Sequence, residues 1–137
     1  MWWVYALFSA LFAALTAIFA KIGIKNVNTD LATAIRTAVI LVLAWGIAWF
    51  RGGVSSIHTL TKHNMIFLVL SGMATGLSWI FYFKALQLGK VSQVAPVDKL
   101  SVAIAIILSI IFLGETLTWK MAIGALLIIA GTFVLII

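Results

Sequence analysis

The 137-residue chain contains no cysteine, which excludes disulfides and thiolate metal sites and leaves the redox compartment unreadable. It is also poor in charge: only 9% of its residues are charged, and three residues in all are acidic. A soluble domain of this size needs far more charge on its surface. Nor do the basic residues gather into a patch or stripe. Nine Lys and Arg give a formal charge of +6, but scattered among apolar runs they are no footprint for nucleic acid. At the ends of apolar runs they are ordinary membrane anchors and topology signals. The opening Met1-Trp2-Trp3 has no basic region, and no convincing small-x-small cleavage site follows. The first apolar run is therefore expected to be retained, not removed as a signal peptide.

What the chain does have is apolar length. Hydrophobic residues make up 65% of it, and the mean hydropathy is +1.26. A bilayer core of about 30 Å takes roughly 20 apolar residues per helix. Five stretches qualify, at about 3–20, 31–50, 64–88, 92–113 and 119–137. Unsatisfied backbone is so costly in lipid that runs of this length are read as helices. The expected fold is an all-α integral membrane protein, one multi-pass domain over 1–137. Asn28-Thr29-Asp30 is a helix-start signal for the second span. Gly89 is a plausible stop for the third. The connection from Arg51 to His63 has room for a short interfacial helix. Trp2, Trp3, Trp45, Trp49 and Trp119 all fall at span ends on the side of the N-terminus, as interfacial anchors do, whereas Trp79 lies well inside the third span.

An odd number of spans puts the two chain ends on opposite faces of the bilayer. Arg51, Lys62 and Lys120 lie on the side of the N-terminus, and Lys21, Lys25, Lys84 and Lys90 on the other. Three against four is too small a difference to fix orientation. The alternatives are a single orientation with a weak signal, or a chain that inserts both ways up and pairs with an inverted copy of itself.

The second half carries a recognisable pattern. Tyr82-x-x-Ala85-Leu86 is followed by Val94-Ala95-Pro96 and a small-residue helix. Phe112-Leu113-Gly114-Glu115-Thr116-Leu117-Thr118 comes next, then Gly124 and Gly131 in the last span; Arg36 in the second span fits the same pattern. The combination resembles the EamA repeat of the drug/metabolite transporter superfamily, and the match covers all five spans. Typical members carry two such repeats in inverted orientation. A single repeat looks like the short branch of bacterial and archaeal members, half of an inverted-repeat transporter. The resemblance thus implies a transporter in the cell (inner) membrane whose missing half is a second copy, which would require dual topology. The related small multidrug-resistance proteins use a Glu in the first helix for cations. This first span has no acidic residue, so organic-cation export is disfavoured.

Charges inside a membrane are expensive and mark functional candidates. Arg36 lies about 8 Å into the second span at ~1.5 Å per residue, and Asp98 and Lys99 lie at similar depth in the fourth. Arg36 and Asp98 either tie two helices together or face a solute; Lys99 is read as a snorkelling anchor. The third span carries a polar stripe, Ser71, Thr75, Ser78 and Tyr82, beside Gly72 and Gly76. Small residues let helices approach closely, so packing explains much of the stripe. Trp79 and Tyr82 remain as rings with polar tips suited to a cavity. Asp98, Ser101, Ala105 and Ser109 are expected on one face of the fourth span. Pro96, Gly124 and Gly131 are read as structural, and Glu115 as a cap for the fifth helix or the partner of a nearby Lys. His58 and His63 have no neighbours that would make a metal site, and there is no nucleophile–base constellation or phosphate-binding loop.

The expected activity is alternating-access movement of a small metabolite by an antiparallel homodimer, with no cofactor, metal or enzymatic reaction. Arg36 and Lys99 against Asp98 leave the intramembrane layer one positive charge, which favours an anionic or zwitterionic solute such as an amino acid. The competing class is a non-transporting structural or assembly subunit of a membrane complex.

Overall fold

A computed structural model describes all residues 1–137, and every regular element in it is helical. The elements are α1 (Trp2–Gly23), α2 (Thr29–Phe50), a 3-10 helix (Gly53–Thr59), α3 (Lys62–Leu88), α4 (Val91–Asp98), α5 (Leu100–Leu113) and α6 (Trp119–Ile136). Five segments are long and apolar enough to cross a membrane: α1, α2, α3, the combined stretch Val91–Leu113, and α6. The first three begin one or two residues before the expected limits, and α1 also runs three residues further. Helices extend past the hydrocarbon where side chains cap their ends. Twenty-two residues at ~1.5 Å each rise about 33 Å, slightly more than the core thickness.

The chain divides into two compact units, Ala20–Gln87 and Met1–Phe19 with Leu88–Ile137. In the first, α2 starts where the sequence places it: the Asn28 side chain accepts hydrogen bonds from the backbone N–H groups of Asp30 (2.9 Å) and Leu31 (3.1 Å). The Thr33 hydroxyl donates to the Thr29 carbonyl at 2.8 Å, and both residues are buried. The last carbonyls of α1 and the turn after it would be orphans. Two side chains at distant positions satisfy them in part: the Gln87 amide donates to the carbonyls of Ile24 (3.2 Å) and Val27 (2.8 Å). The Lys21 ammonium closes the same junction from the other direction by donating to the Leu86 carbonyl. Ile24, Phe83 and Leu86 are buried and form the unit's apolar core.

At the other end of α2 the chain reverses through Gly52, whose φ of +71° is open to glycine at little cost. The 3-10 helix that follows packs against α2 and is the expected short element of this connection. Its hydroxyls are spent locally, Ser55 on the Gly52 carbonyl (2.6 Å) and Thr59 on that of Ser56 (2.7 Å).

In the second unit α6 packs against both α4 and α5. The fourth span is not one continuous helix. Its ladder is interrupted at Lys99, whose N–H reaches the carbonyls of Ala95 (3.3 Å) and Pro96 (3.1 Å). Pro96 has no N–H to give, which already weakens this stretch. The buried Thr132 hydroxyl then reaches the Pro96 carbonyl at 3.2 Å, while also donating to Ile128 at 2.8 Å. Of the stripe, Ser101, Ala105 and Ser109 keep a spacing of four along α5, while Asp98 lies across the break at the end of α4.

Gly114 ends α5 with a φ of +67°, and the Glu115 N–H returns to the Ser109 carbonyl at 3.3 Å. This is the left-handed closure that a helix C-terminus favours. Glu115 does not cap α6. Thr118 does, accepting from the Met121 N–H at 3.3 Å. Nor does Glu115 pair with a lysine, because the chain's single ion pair lies elsewhere. The physical reason is register: Thr118 is the residue immediately before the helix, and Glu115 lies three residues too early.

Candidate functional site

Arg36 sits in the first half of α2, seven residues after its start, and is half-buried. Its guanidinium carbon lies 4.0 Å from the ring centroid of Trp79 and 4.9 Å from that of Phe83. Trp79 and Phe83 are four residues apart on α3, so the helix presents them on one face, one above the other. Phe83 is only 2% exposed and fixes the arrangement from within the core. The Tyr82 ring lies beside Phe83, with centroids 6.4 Å apart.

This explains how an arginine is kept at that depth. Two aromatic faces attract the cation through their quadrupoles, worth about 2 kcal/mol where the pair is desolvated. Contact with the rings spends none of the guanidinium N–H donors. No carboxylate is committed to Arg36, since the one ion pair of the chain joins Lys99 to Asp98 at 3.4 Å. Asp98 is thus taken by its own neighbour.

The remaining candidates fall in different surroundings. Ser71 and Thr75 are exposed on α3, with the Thr75 hydroxyl donating to the Ser71 carbonyl at 2.9 Å. Ser101 is exposed in the first turn of α5. Trp79 and Tyr82 are half-buried. Among the glycines, Gly72, Gly76, Gly124 and Gly131 have nothing within 4 Å of where a Cβ would stand, so this chain alone presses nothing against them. The sequence reading did not single out Phe83, although its spacing of four from Trp79 was the signal that would have found it.

Two cavities in the Ala20–Gln87 unit differ in chemistry. The larger, about 900 Å³, lies at the α2–3-10 corner and is walled by Trp45, Ala48, Val54, Ile57, Leu60 and Leu68. Apart from Ser56 its lining is apolar, and it carries no charged side chain. The smaller, about 390 Å³, lies between the start of α2 and the end of α3 and carries Asp30 and Lys84 in its lining.

Five apolar helices of spanning length define a multi-pass membrane protein, and one of them carries an arginine set against two aromatic rings of α3. The EamA-like transporter family model matches residues 1–137, and the chain belongs to that family. A Sinorhizobium protein named an uncharacterized transporter in the cobO 3' region is 45% identical over 134 residues, covering 98% of this chain and 95% of the relative. An uncharacterized protein of Methanocaldococcus jannaschii is 37% identical over 71 residues, about half of each chain (52% of both). No solved structure gives a significant match. The family and the transporter-named relative support a membrane transporter.

Proposed function

We propose that the protein moves a small anionic or zwitterionic metabolite, an amino acid being the favoured class, by alternating access in the plasma membrane. Its working form in this reading is an antiparallel homodimer of chains inserted both ways up. The observation that carries the solute reading is Arg36, an intramembrane cation supported by Trp79 and Phe83 and committed to no carboxylate. A structural cation in lipid is normally neutralised by a partner; a cation that recognises a solute keeps its donors available. Asp98 and Ser101 flank the interruption of the fourth span at Lys99 and are assigned to gating, as irregular backbone at membrane depth belongs where a cavity is lined. Ser71 and Thr75 supply further polar lining.

The dimer reading draws on the same surface. The Gly72/Gly76 pair and the exposed hydroxyls beside it are a close-approach face with nothing pressed on it. A single repeat with nearly balanced charges gives an inverted second copy the role of the missing half.

Two experiments test this. In vesicles containing the purified protein, Arg36→Ala is expected to abolish uptake of the transported anion or amino acid; unchanged uptake of every candidate would overturn the solute assignment. For the dimer, one cysteine placed near the C-terminus of this cysteine-free chain is labelled in intact cells with a membrane-impermeant reagent. Half-labelling is expected, and complete labelling or none rejects dual topology.

A further inference from the structure

The 390 Å³ cavity between the start of α2 and the end of α3 is lined by two opposite charges, Asp30 and Lys84, with Asn28, Gln87, Ile80 and Phe81 around them. That volume lies within the range of small-molecule sites. Asp30 has an ordinary explanation on its own, because an acid in the first turn favours the helix dipole. Lys84 is a span-end lysine by position, yet it lines the same cavity as Asp30. If the two formed a structural bridge they would be in contact, but the chain's only ion pair is Lys99–Asp98.

The amides narrow the chemistry further. Asn28 spends its carbonyl oxygen on the N–H groups of Asp30 and Leu31, so its NH2 group is the part left to offer. Gln87 spends its NH2 on the carbonyls of Ile24 and Val27, which leaves its oxygen. The cavity therefore has two donors for an anion, Lys84 and Asn28, and two acceptors for a cation, Asp30 and Gln87. Ile80 and Phe81 supply an apolar wall.

We propose that this cavity is a binding site for a zwitterion with an ammonium and a carboxylate close together, as in a free α-amino acid. Its carboxylate faces Lys84 and Asn28, its ammonium faces Asp30 and Gln87, and its side chain lies against Ile80 and Phe81. The proposal rests on the solute reading above and adds a second station for the same class, at the head of α2 and six residues before Arg36. A bound zwitterion bridges Asp30 and Lys84 by pairing with both, which a lone anion or cation cannot do.

The test does not depend on transport. Val27→Cys puts one thiol beside the cavity of an otherwise cysteine-free chain: Val27 is 36% exposed, directly precedes Asn28, and takes the Gln87 amide through its backbone carbonyl, so every side chain assigned to the site is kept. The purified full chain in detergent is treated with a water-soluble maleimide, with and without a mixture of the standard amino acids. The same measurement is made with the corresponding amino-acid amides, which lack the carboxylate, and with N-acetyl amino acids, which lack the ammonium. Protection by the free amino acids alone is expected. Asp30→Asn and Lys84→Gln should each weaken it about tenfold or more, the loss of one charge-assisted contact. In addition, Asp30→Asn should let the N-acetyl compounds compete, and Lys84→Gln the amides. A symmetric gel-filtration peak in detergent and unchanged helix content by circular dichroism check that each variant keeps its fold.

Absence of protection by any free amino acid overturns the proposal, as does equal protection by amides and N-acetyl compounds. Protection that survives both charge substitutions overturns it as well. Loss of uptake in Arg36→Ala with cavity protection intact supports two separate stations. Uptake unaffected by Arg36→Ala sinks the Arg36 reading while leaving the protection result to decide the cavity.

Discussion

The two compact units solve the same problem, a charge at membrane depth, in opposite ways. In the Ala20–Gln87 unit, Arg36 rests on Trp79 and Phe83 along an uninterrupted α2 and keeps its donors free of any carboxylate. In the unit formed by Met1–Phe19 and Leu88–Ile137, Lys99 and Asp98 neutralise one another at 3.4 Å where the fourth span breaks. The first arrangement preserves recognition capacity and needs rigid aromatic support. The second cancels its charge locally and coincides with the interruption between α4 and α5. In the proposed function, the contrast corresponds to solute binding at Arg36 and gating at the Pro96–Lys99 segment.

The sharpest way to break that assignment is Arg36→Lys. Charge is retained, but the planar fork and the stacking face are lost, and the two residues are not interchangeable at such a site. Initial uptake rates in vesicles are expected to fall about 100-fold at low solute concentration, carried mainly by KM; a fall of about 100-fold corresponds to roughly 2.7 kcal/mol. If Lys serves as well as Arg, positive charge alone is what matters and the aromatic support is incidental. Trp79→Leu tests the support directly. It keeps apolar volume and removes the face 4.0 Å from Arg36. An effect of about 2 kcal/mol, some tenfold or more in KM, is expected from a desolvated cation–π contact. A larger effect from Phe83→Leu than from Trp79→Leu would reverse the order that the two distances imply.

Asp98→Asn addresses the other unit. The side chains of Lys99 and Asp98 are 58% and 35% exposed, so the pair is weakly held and worth under about 1 kcal/mol. Maximal uptake is expected to fall no more than about fivefold with KM unchanged. A rise in KM comparable to that of Trp79→Leu would move Asp98 from gating to solute binding and erase the contrast between the units.

The features legible in sequence were those written in local pattern. Span positions followed from apolar length, and the Asn28 cap from residue type directly before a helix. Arg36 was legible because a charge in an apolar run has few innocent explanations. Local pattern could not show what holds the pieces. Gln87 and Lys21 reach carbonyls or carry partners more than 60 positions away. Lys21 read simply as an interfacial charge, and Phe83 as one more apolar residue. The break at Lys99 was hidden for the same reason. Pro96 was visible as a weak point, but its carbonyl is engaged by Thr132 from another helix, 36 positions on. Glu115 failed differently, because a carboxylate near a helix start is attractive in general, while capping is decided by the single residue Thr118 at the boundary.

The smallest effect should come from Thr132→Val, which keeps shape and removes one hydroxyl. Thr132 is buried at 4% exposure, and its hydroxyl is shared between the Ile128 carbonyl on its own helix and the Pro96 carbonyl on α4. Hydrogen bonds between membrane helices average about 0.6 kcal/mol, and sharing weakens this one. Pro96 also keeps its bond from the Lys99 N–H at 3.1 Å, so its carbonyl is not orphaned by the substitution. Denaturant titration in detergent is expected to register a loss near 0.6 kcal/mol. If the tie also restrains the Pro96–Lys99 segment, maximal uptake should change by up to about threefold while KM stays fixed. A stability loss of several kcal/mol would make Thr132 a structural pillar and the break a fixed kink. A change in KM would carry solute binding into the second unit and remove the division of labour on which the comparison rests.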